Sequence, residues 1–209
     1  MLSKPDEEII LIEESIKQPN IMDNKTKIKF DRIKLNCQAF YRVSSILWDD
    51  YSADNAIEKV MPIVVNSTFT CELALKAILV KCGQGFYRGH KLYNLFSELM
   101  PEIQDCVIEA LKLFYPSQTA GWLVDKIKIA SDNYQRARYS HDYTIAIDLT
   151  FCKNFMDALV FIEQKLCGLV IVEEVNDDIK EHENEFDAKI NSAMTDLLAE
   201  AEKNLKNKA

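Results

Sequence analysis

The chain has 209 residues, 48% of them hydrophobic and 28% charged, enough for one well-buried domain with appendages and too few for two independent ones. That balance excludes a disordered chain, and no window approaches the roughly 20 consecutive apolar residues that a membrane span requires. The formal charge of −8 disfavours nonspecific nucleic-acid binding by the whole surface, but from Glu173 onward 11 acidic residues meet 5 basic ones, net −6, leaving 20 basic against 22 acidic before it, so a local basic site in the body remains open.

The start, MLSKPDEEII, carries Asp6, Glu7 and Glu8 where a secretory leader needs a basic start and an unbroken apolar stretch. The expected location is the cytoplasm, with no membrane partner. Six cysteines, at 37, 71, 82, 106, 152 and 167, show no metal-ligand spacing; they read as small hydrophobes kept reduced. Neither GxGxxG nor GxxxxGK[ST] is present. No metal and no cofactor is therefore expected.

With only five glycines and five prolines, and apolar residues recurring at spacings of three and four, the chain reads as all-α: a bundle of four to six helices with a helical C-terminal extension. Residues 1–27 form an N-terminal amphipathic segment, EEIILIEESI, ended by Pro19-Asn20. The helical domain spans 28–172. Its first helix runs from about Ile28 to Trp48, and Asp54 or Asn55 is expected to N-cap the next. That helix covers Ala56 to Lys81, with Pro62 as a point of bending and Gly83 and Gly85 as its stop. A short helix over 89–100, GHKLYNLFSELM, precedes another from Pro101 to Phe114. A turn at 116–121 admits a long helix from Trp122 to about Tyr139, and an apolar helix from Leu149 to Val172 closes the domain. Residues 173–209 form an acidic helical tail, a candidate assembly element.

Phe40, Tyr41, Trp48, Phe86, Tyr87, Tyr93, Phe96 and Trp122 read as core first and as base-stacking platforms second. In RARYSH, residues 136–141, Arg138 and His141 are three apart and project from one helix face, whereas Arg136 and His141 are about 140° apart on an ideal helix. An arginine beside a histidine suits metal-independent RNA cleavage: imidazole moves a proton while guanidinium holds the phosphate and stabilises its added charge. The plainer reading makes Arg138 a helix C-terminal cation, favourable by roughly 0.3–1 kcal/mol, and His141 a solvated turn residue.

Glu72 and Lys76 form an i, i+4 pair worth about 0.2–0.5 kcal/mol on a solvated helix. Their surroundings, Leu73 to Val80, are so apolar that Glu72 is expected to be partly buried and to need a cationic partner, for which Arg138 is the candidate. His90 follows Gly89 at a helix start, where its ring is expected to pack on a neighbour and bond a backbone group.

ELALKAIL, then GHKLYNLF after a short glycine-containing loop, then RYSHDY near the end of a later helix, together resemble the HEPN superfamily over about residues 28–172. The resemblance implies a helical domain of prokaryotic defence and toxin systems, many of whose members are endoribonucleases that dimerise to share an Arg-x(4–6)-His site. Arg136 to His141 has the four-residue spacing, though the arginine is usually followed by a polar residue and here by Ala137. Arg138-Tyr139 is similar to the "RY" of a branch that also carries GHxL. The resulting expectation is a homodimeric endoribonuclease acting on RNA, His141 as general acid/base, Arg138 or Arg136 on the phosphate, and Glu72, Lys76, His90 and Tyr139 in support, with an antitoxin or defence-system protein as partner. The alternative is a noncatalytic helical module that binds a partner protein or a nucleotide.

Overall fold

The computed structural model of the chain describes residues 22–139 and 147–168, and of Ala53, Ile57, Arg138 and Tyr139 the backbone alone. The N-terminal segment, His141 and the acidic tail lie outside the described residues. Within these residues there are six α-helices and no strand, which is the expected all-α class.

α1 (Asn24–Asp49) begins at Asp23, whose carboxylate accepts the Thr26 backbone N–H at 2.8 Å and the Thr26 hydroxyl at 2.9 Å, satisfying donors that a helix start otherwise leaves orphaned. Its inner face repeats every seven residues, with Phe30, Cys37 and Ser44 buried. After a 3-10 turn at Ala53–Asn55, α2 (Ala56–Lys81) follows. Asn55 occupies the expected N-cap position, but its side chain serves the preceding turn: it accepts from Ser52 N–H at 2.9 Å and donates to the Asp50 carbonyl at 2.6 Å. α2 passes Pro62 as one element, and Asn66 donates to the Pro62 carbonyl at 2.8 Å. It stops where expected, with Gly83 and Gly85 in left-handed backbone, φ +78° and +79°, a region that costs glycine little.

α2 is the axis of the domain. From Ser67 to Val80 only Phe69 and Lys76 escape full burial. Contrary to the reading that no window could span a bilayer, Glu58–Lys81 is long and apolar enough to do so, at mean hydropathy 1.6; the bundle uses it as its core helix, with 78% of its most apolar window buried. α1 packs along it antiparallel. Phe30 joins Ala77 and Val80 at one end, Phe40 meets Phe69 edge-on at 4.6 Å, and Trp48 Nε1 donates to Ser67 Oγ at 3.2 Å at the other.

The short helix α3 (Leu92–Ser97) is half the length expected for 89–100. Residues 89–91 stay outside it, with Lys91 in extended backbone at ψ 118°, because His90 is engaged elsewhere, as described below. α4 (Pro101–Phe114) has the expected bounds, with proline in the first turn, where its missing N–H costs nothing. α5 (Ala120–Tyr139) starts two residues before Trp122 and buries Leu123, Ile127, Ala130, Tyr134 and Ala137. α6 (Leu149–Cys167) is capped by Asp148, which accepts Phe151 N–H at 3.0 Å and Lys126 Nζ at 2.8 Å.

α6 runs alongside α2 and also reaches α1, where the Tyr41 hydroxyl donates to Asp157 at 3.3 Å, and its Phe151, Phe155 and Leu159 complete the core. Its last carbonyl, that of Cys167, accepts a 2.7 Å hydrogen bond from the buried Lys34 ammonium of α1. All six cysteines are free thiols, three buried and three partly so. Burial pushes Cys37 and Cys71 well up and Cys152 up to about 12, which leaves them inert as nucleophiles. Two aromatic residues expected in the core, Phe86 and Tyr87, are instead exposed: the glycine-rich loop carries them out beyond the end of α2.

Candidate functional site

The site is built on α2, on the loop before α3, and on the last two turns of α5. Glu72 is 2% exposed, and a carboxylate so far from water needs cations or donors to remain ionised. Lys76 Nζ, one turn on, donates to its Oε1 at 2.8 Å, and His90 Nδ1 lies 2.9 Å from the same oxygen. The pair therefore differs from a solvated i, i+4 brace. His90 also departs from expectation, since its ring engages a side-chain carboxylate and is 60% exposed. An imidazole held at Nδ1 by a buried carboxylate presents Nε2 outward in a fixed orientation.

Gly89 has a steric reason to be glycine, because a Cβ there would collide with the Tyr87 ring. This close approach lies one residue before His90. Past it, Tyr93 N–H donates to Ser131 Oγ of α5 at 3.0 Å, and the Lys128 ammonium stands over the Tyr93 ring at 5.7 Å. These contacts lock the GHxL segment against α5 and set a cation beside it.

The expected Arg138 partner of Glu72 lies, as a side chain, outside the described residues, as do those of Tyr139 and the whole of His141. The register of α5 nevertheless separates the two arginines. At about 100° per residue, position 138 falls about 40° from Tyr134 and within about 20° of Ser131, two turns earlier, whereas position 136 lies about 160° from Tyr134. Tyr134 is buried in the core, its hydroxyl beside the Cys152 and Cys71 thiols without a well-formed hydrogen bond. Arg136 is exposed. Position 138 is accordingly on the side of α5 that faces α2 and the GHxL segment, and position 136 on the opposite side. Ala137, which stands where a polar residue usually follows the arginine, is buried, so its apolar character is set by core packing.

Three of the predicted supporting residues, Glu72, Lys76 and His90, come together. Ser131 and Tyr134, which tie α5 to this cluster, were not singled out from sequence; the signal was a small hydroxyl residue next to an otherwise unbroken apolar stripe, two turns before Arg138.

The HEPN domain family model matches residues 57–164. The chain belongs to the HEPN family. The match takes in α2 to α6 and with them Glu72, Lys76, His90, Arg136, Arg138, Tyr139 and His141, while α1 lies outside it. No curated protein and no solved structure matches the chain. HEPN membership points to a nuclease-type or nucleotide-binding module.

Proposed function

We propose that this HEPN protein is a metal-independent endoribonuclease of a prokaryotic defence or toxin system, working as a homodimer on RNA. The observation that carries the reading is position 138 on the face of α5 turned toward the Glu72–His90 cluster, three residues before His141. Neutral His141 takes the proton of a ribose 2′-hydroxyl, the 2′-oxygen bonds to phosphorus, and the bond to the 5′-oxygen breaks. An imidazolium returns a proton to that leaving oxygen. Arg138 holds the phosphate and stabilises the charge gained in the transition state, the role that guanidinium geometry fits best.

The test is incubation of the purified protein with mixed cellular RNA in EDTA. Cuts leaving 2′,3′-cyclic phosphate and 5′-hydroxyl ends are expected, and His141→Ala is expected to lower the rate by at least 100-fold, the low end of what a positioned acid/base contributes, with the helical circular-dichroism signal unchanged. Full residual cleavage by that variant would remove His141 from the mechanism.

A second reading, a noncatalytic module for a nucleotide or partner protein, is favoured by the burial of Glu72 between Lys76 and His90, as in an internal brace. Arg138→Ala separates the two. A brace that includes Arg138 loses about 3–5 kcal/mol when a buried charge loses its partner; a phosphate-binding arginine loses activity with the urea midpoint nearly unmoved.

A further inference from the structure

α1 is apolar on two sides. Beyond the face that enters the core, Ile28 (64% exposed), Leu35, Val43 and Ile46 (67%) stand in solvent and make up half of the eight exposed large hydrophobics among the described residues. On an ideal helix Ile28, Leu35, Ala39 and Ile46 fall within about 40° of one another, diametrically opposite Cys37. Their spacing of seven, four and seven is that of one seam of a coiled coil. The seam is bordered by Lys25, Lys27, Lys29, Arg32 and Arg42, all exposed, and α1 as a whole has six basic residues against two acidic, net +4, in a chain of net −8.

We propose that this face docks an amphipathic helix of a partner protein, one with apolar residues at heptad spacing and Glu or Asp along their flanks. A charge-complementary helix fits both features, since the apolar seam takes its a and d positions and the basic border its e and g positions. A second copy of the chain would set one +4 helix against another, and like charges across a seam oppose pairing. A lipid surface requires an apolar face wider than this, at least about 100°. RNA would meet the cations but find neither a donor nor a stacking plane in Ile28, Leu35 and Ile46. The seam lies outside the HEPN match and shares no residue with the Glu72 cluster, so the proposal is independent of the catalytic one.

The test uses the full chain and a fluorescent synthetic peptide of four heptads with Leu at a and d and Glu at e and g, followed by anisotropy. Saturable binding is expected, weakened at least tenfold by Leu35→Asp and by Ile46→Asp, both solvent-facing so that the circular-dichroism spectrum is retained, and weakened by added salt. The same peptide with Lys at e and g is expected not to bind. Absence of binding by the Glu peptide, equal binding of the Lys peptide, or indifference to both substitutions overturns the proposal. So does a sedimentation mass that falls from dimer to monomer in Ile46→Asp, which assigns the seam to a second copy, or co-sedimentation with phosphatidylserine vesicles that Ile46→Asp abolishes, which assigns it to lipid.

Discussion

Glu72 has 2% of its surface exposed, and its two described partners do not contribute equally. Lys76 is itself largely buried, its side chain 15% exposed, whereas His90 stands 60% exposed and its attraction is screened by water. Lys76→Met, which takes a cation from a buried carboxylate, is therefore expected to cost up to about 3–5 kcal/mol, and His90→Ala less than about 1 kcal/mol; urea titrations with unchanged slope check both. If His90 matters to the chemistry, its loss appears in cleavage rate with little change in the urea midpoint. The sequence made the burial of Glu72 readable, because seven apolar neighbours surround it. It did not make His90 readable as a partner, since the two are 18 positions apart and the path of the loop after α2 brings them together.

Helix bounds were most legible where local chemistry punctuates the chain. Pro101 at the first turn of α4 and Gly83 after α2 act through their own backbones, and both bounds agree with the structure. α3 was overestimated because its helical periodicity continues through residues that a tertiary contact holds extended. The cap of α6 was missed for a related reason: Asp148 is one acidic residue among many until Phe151 N–H and Lys126 converge on it. Partial burial raises the Asp148 carboxyl, but Lys126 and the Phe151 N–H outweigh it and the net shift is downward, so its contribution is present above the ordinary carboxylate range and fades as acid is added. Asp148→Ala is expected to cost about 1 kcal/mol at pH 7, seen as a melting temperature lower by roughly 2–4 °C, with the difference from wild type shrinking as the pH falls below the ordinary carboxylate value of 3.8.

At the scale of the whole molecule, stability depends on pH through a group that the sequence left unmarked. Glu163 of α6 is fully buried, and neither carboxylate oxygen has a hydrogen bond. Burial raises its pKa from 4.5 to about 7, with the Lys34 ammonium pulling the other way. In the folded chain it holds a proton that the unfolded chain has already released, so stability from this group is fully present below about pH 4.5, falls as pH rises toward 7, and is flat above. The span is on the order of 3 kcal/mol. Glu163→Gln, which is always neutral, is expected to flatten that decline; an unchanged slope of urea midpoint against pH from 5 to 7.5 would place the dependence elsewhere. Nothing in FIEQKL distinguishes a buried glutamate from a solvated one. Its position is settled by α1, more than a hundred residues away.

The bond from Lys34 to the Cys167 carbonyl joins residues 133 positions apart. At a synthesis rate of about 5–20 residues per second, the emerging chain holds Lys34 for roughly 7–27 s before its acceptor exists, and Glu163 is added only four residues earlier. Throughout that interval α1 has its inner face incompletely covered and its outer seam bare. The earliest-made of the described helices thus waits for one of its anchors until the last of them is complete, and for the whole of that time it is open to any escort that recognises a basic amphipathic helix.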